Sequence, residues 1–261
     1  MSEMLQVSSG GLTPALFSCA MACIGGALGL RCIIRARDAT GASRLNWLLT
    51  AATSIGSGIW ISSLIAVLGV TVKGTEIRYD VPLTLLSLLV TMVVVGLGLL
   101  MVGYIRSRTH ALILGGLGTG LGVVTMHLLG TAALRLHGVM VRDPLMAVVS
   151  ALIAVVGSVA ALWVTVSTRG RRGAVAGPLV MGLAISGMNQ AAIAATRINL
   201  KPQRAPLPGA SDVGFVFPLV VVAGCTLLVL CAFVALSPTA VELAESELVD
   251  QLDGPLLPLG D

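Results

Sequence analysis

The sequence predicts an all-α membrane protein: a polytopic bundle of seven transmembrane helices built on a triple internal repeat. Three observations carry this. Hydrophobic residues make up 56% and charged residues 11% of the 261 positions, and the mean hydropathy is +0.98, where an ordinary soluble domain carries roughly 25% charge. Apolar runs of about 20 residues, long enough to cross a bilayer as helices, recur along the whole chain. One pattern of small and polar residues also occurs three times at nearly constant spacing.

That pattern is clearest between Gly118 and Arg135, in GTGLGVVTMHLLGTAALR. Gly120, His127 and Gly130 fall on nearly one face of a helix, because offsets of seven and three residues return close to the same direction. Gly56, Ser63 and Ala66 repeat the stripe upstream, and Gly182, Asn189 and Ala192 repeat it downstream. Ser63 stands 64 residues before His127, and Asn189 stands 62 residues after it.

In chain order, spans are expected at about 13–34, 46–71, 82–104, 111–134, 144–167, 174–196 and 214–236. Arg31, Arg35 and Arg37 follow the first apolar run and no basic stretch precedes it, the flank of a retained span rather than of a cleaved leader. Pro82, Pro144 and Pro178 are expected at or near helix starts, where a missing N–H costs little. β-branched runs such as Met92-Val93-Val94-Val95 lack the alternation with polar residues that a barrel wall needs.

Residues 1–236 therefore read as one membrane domain, and residues 237–261 as a short acidic tail with six carboxylates, a solvated segment or a docking peptide. Lys201–Gly209 reads as a Pro-rich extended loop. Nine Lys and Arg residues would lie on the inner side if the N-terminus is outside, against seven on the outer side. With the densest clusters inside and Glu76, Asp80, Asp143 and Asp212 outside, the N-terminus is expected outside and the C-terminus in the cytoplasm. Ser63, His127 and Asn189 would then share one depth in the outer half of a cell membrane. The partner this composition implies is the lipid bilayer; the cations fall between apolar runs and do not form a nucleic-acid surface.

Within the expected spans His127 is the one readily ionisable side chain well inside the apolar region, and such a group is costly there. Three readings stay open for the stripe. Small residues let helix backbones approach and polar ones bond across, which is helix packing. Neutral imidazole, with thioether sulfur from Met126 and Met188, makes a metal or small-ligand site. A proton relay is the third. On the packing reading a larger side chain at Gly130 should overpack a helix contact. Cys19, Cys23, Cys32, Cys225 and Cys231 read as small apolar residues, His110 and His137 as solvated near helix ends, Trp60 and Trp163 as helix-surface residues, and Trp47 as an interfacial one.

These stretches resemble the MHYT domain, a bacterial integral membrane sensor module named for a Met-His-Tyr-Thr signature. LVMGLAISGMNQAAIAA is similar to the family's VMGxAISGMHYTGMAA; GLGVVTMHLLGTAAL keeps Met126, His127 and Gly130; GSGIWISSLIAVLG keeps Gly56, Gly58, Ile59 and Trp60. Tyr79-Asp80 with Ser87, and Asp143 with Ser150, are further similar features. The resemblance covers about Leu12 to Leu236 and implies a membrane sensor of a diatomic gas or of redox state, acting through a metal thought to be copper. The departures lie at the metal positions. The family's Met-His is Ser62-Ser63 in the first repeat, its His is Asn189 in the third, and the Tyr-Thr half is Leu64-Ile65, Leu128-Leu129 and Gln190-Ala191. Of the ligands the resemblance implies, only His127, Met126 and Met188 carry over, so copper is expected to be held loosely or not at all.

Family members often continue into cyclase, phosphodiesterase or kinase domains. The expectation here is a stand-alone, non-enzymatic module whose output passes through a cytoplasmic or membrane signalling partner. The alternative is a small multi-pass transporter or a membrane scaffold, though no Asp or Glu falls inside an expected span.

Overall fold

The computed structural model describes residues 4–6, 8–9, 11–71, 76–105, 107–167, 171–200 and 207–236. The acidic tail and residues 201–206 of the Pro-rich loop lie outside them. Seven long helices dominate: α1 Leu12–Asp38, α2 Gly41–Leu68, α3 Val81–Tyr104, α4 Arg108–Ala132, α5 Pro144–Ser167, α6 Arg171–Ala194 and α7 Phe217–Leu236, the last entered through a π-helical turn at Asp212–Val216. Six of them, α6 excepted, are long and apolar enough to cross a membrane. The α6 helix, 24 residues long, is diluted by Pro178, Asn189 and Gln190. Large apolar side chains, among them Leu89, Leu121, Leu152, Val156, Leu183 and Phe233, are exposed around the bundle. So much outward apolar surface belongs against lipid, and the chain is a multi-pass membrane protein.

The helices form three antiparallel hairpins, α1–α2, α3–α4 and α5–α6. Contacts of α2 with α3, α4 with α5 and α6 with α1 close them into a ring, and α7 packs on α1 and α2. Each hairpin crosses where side chains are smallest. A Cβ built on Gly58 falls 2.7 Å from the Cα of Gly25, one on Gly118 falls 2.9 Å from the Cα of Gly98, and one on Gly157 overlaps the Ala184 Cβ. Backbones that close tolerate almost nothing larger than hydrogen, the packing device of membrane helices.

The all-α expectation needs one correction: among the described residues, eight short strands gather at one end of the bundle. β1 (Met4–Gln6) and β2 (Ser8–Ser9) precede α1; β3 (Val70–Thr71) and β4 (Arg78–Tyr79) lie between α2 and α3. β5 (Leu134–Arg135) and β6 (Gly138–Arg142) lie between α4 and α5, and β7 (Thr196–Leu200) and β8 (Ala210–Ser211) between α6 and the π turn. Each hairpin is latched by an antiparallel pair formed from the strand before its first helix and the strand after its second: β2 with β3, β4 with β5, β6 with β7. β1 and β8 extend two of these sheets, on β7 and β4. The same step recurs just below the strands, where the Asp80 N–H donates to the Ala133 carbonyl and the Asp143 N–H to the Ala195 carbonyl, both at 2.9 Å.

The strands explain where the expected spans overran. Val70–Thr71, Leu134 and Thr196 pair across hairpin ends instead of continuing their helices. At the other end the helices begin earlier than expected, so Pro178 sits inside α6, not at its start. Pro82 does lie in the first turn of α3, whose N-terminus is capped by Asp80 accepting from the Leu83 N–H at 3.2 Å. Asp143 caps α5 in the same way, accepting from Leu145 and Met146.

Trp60 is a second correction. It is fully buried, and its indole N–H donates to the Ser87 hydroxyl at 2.9 Å. A tryptophan is buried at little cost when its one donor is satisfied. Trp163 is exposed as expected. Trp47 lies half-buried under the Arg35 guanidinium, 5.0 Å from the ring centroid.

Candidate functional site

The three polar stripe positions lie at one depth. Ser63, His127 and Asn189 each stand five residues before the last residue of α2, α4 and α6, just beneath the strands. Their surroundings differ. Asn189 is buried and joins a polar cluster: Ser63 Oγ donates to Asn189 Oδ1 at 3.1 Å, and Asn189 Nδ2 faces the hydroxyls of Ser18 and Ser62 at 3.4 Å each. Ser18 and Ser62 bond one another at 2.8 Å. This cluster ties α1, α2 and α6 together and engages both ends of the Asn189 amide. It is the helix-packing reading of the stripe at two of its three positions.

The small residues of the stripes point inward with one exception. Gly56, Gly120, Gly182, Ala66 and Ala192 are buried, and a Cβ on Gly120 would fall 2.6 Å from the Val155 Cα. Gly130, expected in a helix contact, has nothing within 4 Å of its Cβ position, so there is no contact there to overpack.

His127 does not join the serine–asparagine cluster. It is half-buried and forms a wall common to two cavities. One, about 50 Å³, lies between α4, α5 and α6 and is lined also by Met188, Ser150, Ala192 and Arg142. The other, about 60 Å³, lies beneath the strands among Val67, Ile77, Leu134, Met140 and Ile198, with Thr131 and Thr196 as its hydroxyls. Ala192 borders both. Thr131 accepts a hydrogen bond from the Arg142 guanidinium, so α4 and β6 meet at the junction of the cavities. Thr131 Oγ1 also donates back to the His127 carbonyl at 2.8 Å. Each cavity exceeds the roughly 10–15 Å³ that one water needs.

The sequence-predicted metal residues divide in the same way. Met188 is buried and lines the first cavity with His127; Met126 is buried in the core and lines neither cavity. Among the described residues no three His, Cys, Asp or Glu side chains converge. Copper asks for several nitrogen or sulfur donors meeting at one point. This site offers one imidazole and one thioether, with a guanidinium in the same wall that repels a cation. The donor set does not fit the metal.

Arg142 and Thr131 are functional candidates that sequence reasoning did not single out. One signal was present: Asp143 precedes Pro144 at a helix start, so its carboxylate is committed to capping and leaves the neighbouring Arg142 without it. Arg135, by contrast, is paired with Asp80 at 2.9 Å. That guanidinium, with the Leu83 N–H, holds the Asp80 carboxyl below the usual carboxylate range. Burial pushes the neighbouring Tyr79 hydroxyl up. His110, in the first turn of α4, is exposed and bonds Ser107 at 2.7 Å, away from both cavities.

Comparison with known proteins agrees with the resemblance. The MHYT family model, described as a bacterial signalling protein N-terminal repeat, matches residues 56–115 and 120–178. The bifunctional diguanylate cyclase/cyclic di-GMP phosphodiesterase MucR of Pseudomonas aeruginosa is 33% identical over 219 residues, 82% of this chain and 32% of that one. The cyclic di-GMP phosphodiesterase NbdA of the same organism is 32% identical over 164 residues, 62% of this chain and 21% of its own. The chain thus spans about a third or less of these relatives' length. No solved structure matches. Between residues 56 and 178 the chain carries two repeats of the MHYT family.

Proposed function

We propose that this chain is a membrane-embedded sensory module that is not itself an enzyme. Its ligand site is the pair of cavities at His127, and its output reaches a cytoplasmic or membrane signalling partner. The observation that carries this is His127 itself, an imidazole set at motif depth in a wall common to two cavities and not used as a helix tie as Asn189 is. The signals implied by the family, a diatomic gas or redox state read through copper, ask for ligands that Ser63 and Asn189 do not supply; on this reading the metal site is largely lost and the cavity is kept.

The same reading takes all seven helices as spans and the unit as present three times, the third copy beginning at Gly182. The latched hairpins support it. Odd helix number puts the strand end and the far end of α7 on opposite sides, and the Arg clusters near Arg35 and Arg44 favour the far end as cytoplasmic.

The test replaces the matching third of MucR with residues 1–236 and reads cellular cyclic di-GMP. Ala192→Leu, which fills a wall of both cavities, and His127→Ala should each change that output about fivefold or more at equal membrane abundance. Output indifferent to both substitutions would overturn the reading.

A further inference from the structure

The cavities at His127 carry a charge that no carboxylate among the described residues pairs with. Arg142, half-buried at the end of β6, lines the cavity of His127 and Met188. Its outer-face neighbours are paired, Arg135 with Asp80 and Arg78 with Glu76. Among the described residues the Arg142 guanidinium instead donates to a neutral group, the Thr131 hydroxyl. The one carboxylate adjacent in sequence, Asp143, is engaged by the N–H groups of Leu145 and Met146. A guanidinium offers five donors in a planar fork suited to a carboxylate. A partly buried cation without a counter-ion is costly, and an anion relieves that cost.

The walls say what else the anion must carry. Beyond the Arg142–Thr131 contact lies the second cavity, about 60 Å³, whose polar side chains are His127, Thr131 and Thr196 and whose remaining walls are Val, Ile, Leu, Met and Ala. Both cavities are too small for a lipid or a nucleotide. An outward-opening hollow over β5 and β6 shares Thr131, Leu134, Leu136 and Met140 with the second cavity and Arg142 with the first. An entering molecule thus meets the guanidinium on its way to His127.

We infer that the site takes a short-chain monocarboxylate from the outer face, its carboxylate on Arg142 and Thr131 and its aliphatic end in the apolar cavity beside His127. This rests on the sensory reading of the same cavities and names the ligand class. Carboxylates are ionised at neutral pH, so the charge match holds under ordinary conditions.

The experiment is equilibrium binding of butyrate to the full chain purified in detergent at pH 7, by calorimetry and by ligand-observed NMR, beside the neutral isostere butyramide. Butyrate should bind saturably and butyramide on the order of tenfold more weakly or not at all. Arg142→Gln should weaken butyrate on the order of tenfold or more, and Arg142→Lys less. Arg197→Gln, at an exposed arginine of β7, should leave binding unchanged, and circular dichroism confirms that each variant is folded. Should Arg142→Gln fail to fold, Ala192→Leu, which shortens the apolar cavity, should weaken butyrate more than acetate. No saturable binding to the wild type, equal binding of butyramide, or equal loss in Arg197→Gln would overturn the assignment. Because the assay needs no signalling output, it fails independently of the sensory reading: cyclic di-GMP output that depends on His127 with no butyrate binding rejects the ligand class alone.

Discussion

Ser63 and Asn189, on helices α2 and α6 and 126 residues apart, share a hydrogen bond of 3.1 Å, while His127, at the same distance from the end of α4, faces cavities. The three positions therefore serve two purposes. Ser63 and Asn189 hold the bundle together; His127 lines open space. If Asn189 is a helix tie, Asn189→Leu strands Ser18 and Ser62 next to an apolar group and removes the link to Ser63. Thermal unfolding in detergent should show a loss of about 1–2 kcal/mol. Wild-type stability in that variant would mean the cluster is incidental.

Close backbone approach gives a sharper contrast. At Gly58 an added Cβ meets the Gly25 Cα at 2.7 Å; at Gly130 it meets nothing within 4 Å. Gly58→Leu should lower stability by about 2 kcal/mol or more through overpacking, and Gly130→Ala should stay within about 0.5 kcal/mol of wild type. Equal melting temperatures for the two variants would refute the hairpin crossing as described.

The Asp80–Arg135 pair sets an acid-side dependence. Its folded carboxyl lies below the ordinary value of 3.8, chiefly through the Arg135 hydrogen bond. A depressed folded value contributes stability above the unfolded value, and that stability is lost as pH falls through the folded one. Asp80 is only half-buried and its partner Arg135 is exposed, so the effect is small. Melting curves taken between about pH 5 and pH 2 should fall less steeply for Asp80→Asn than for wild type. A steeper fall in the variant would reverse the sign.

Much of the fold was legible because long apolar runs leave little choice in a bilayer: every helix was expected within a few residues of its place. The strands were not, because two-residue pairs such as Arg78–Tyr79 with Leu134–Arg135 have no periodicity and arise only when hairpin ends meet. Trp60 was misplaced for a related reason. Its partner Ser87 lies on the next helix, and one sequence position does not reveal which neighbour satisfies an indole. His127 stood out as an ionisable group among apolar ones. Arg142 did not, since it looked like any loop cation until β6 folded back over α4.

The claim at the centre is that the site is a cavity with a histidine and an arginine in its wall, not a copper centre. The most direct measurement is the copper content of the purified full chain after loading with Cu(I) and exhaustive dialysis, beside His127→Ala. The wild type should retain far less than one copper per chain, and the variant should not differ from it. Close to one copper per chain, lost in His127→Ala, would contradict it.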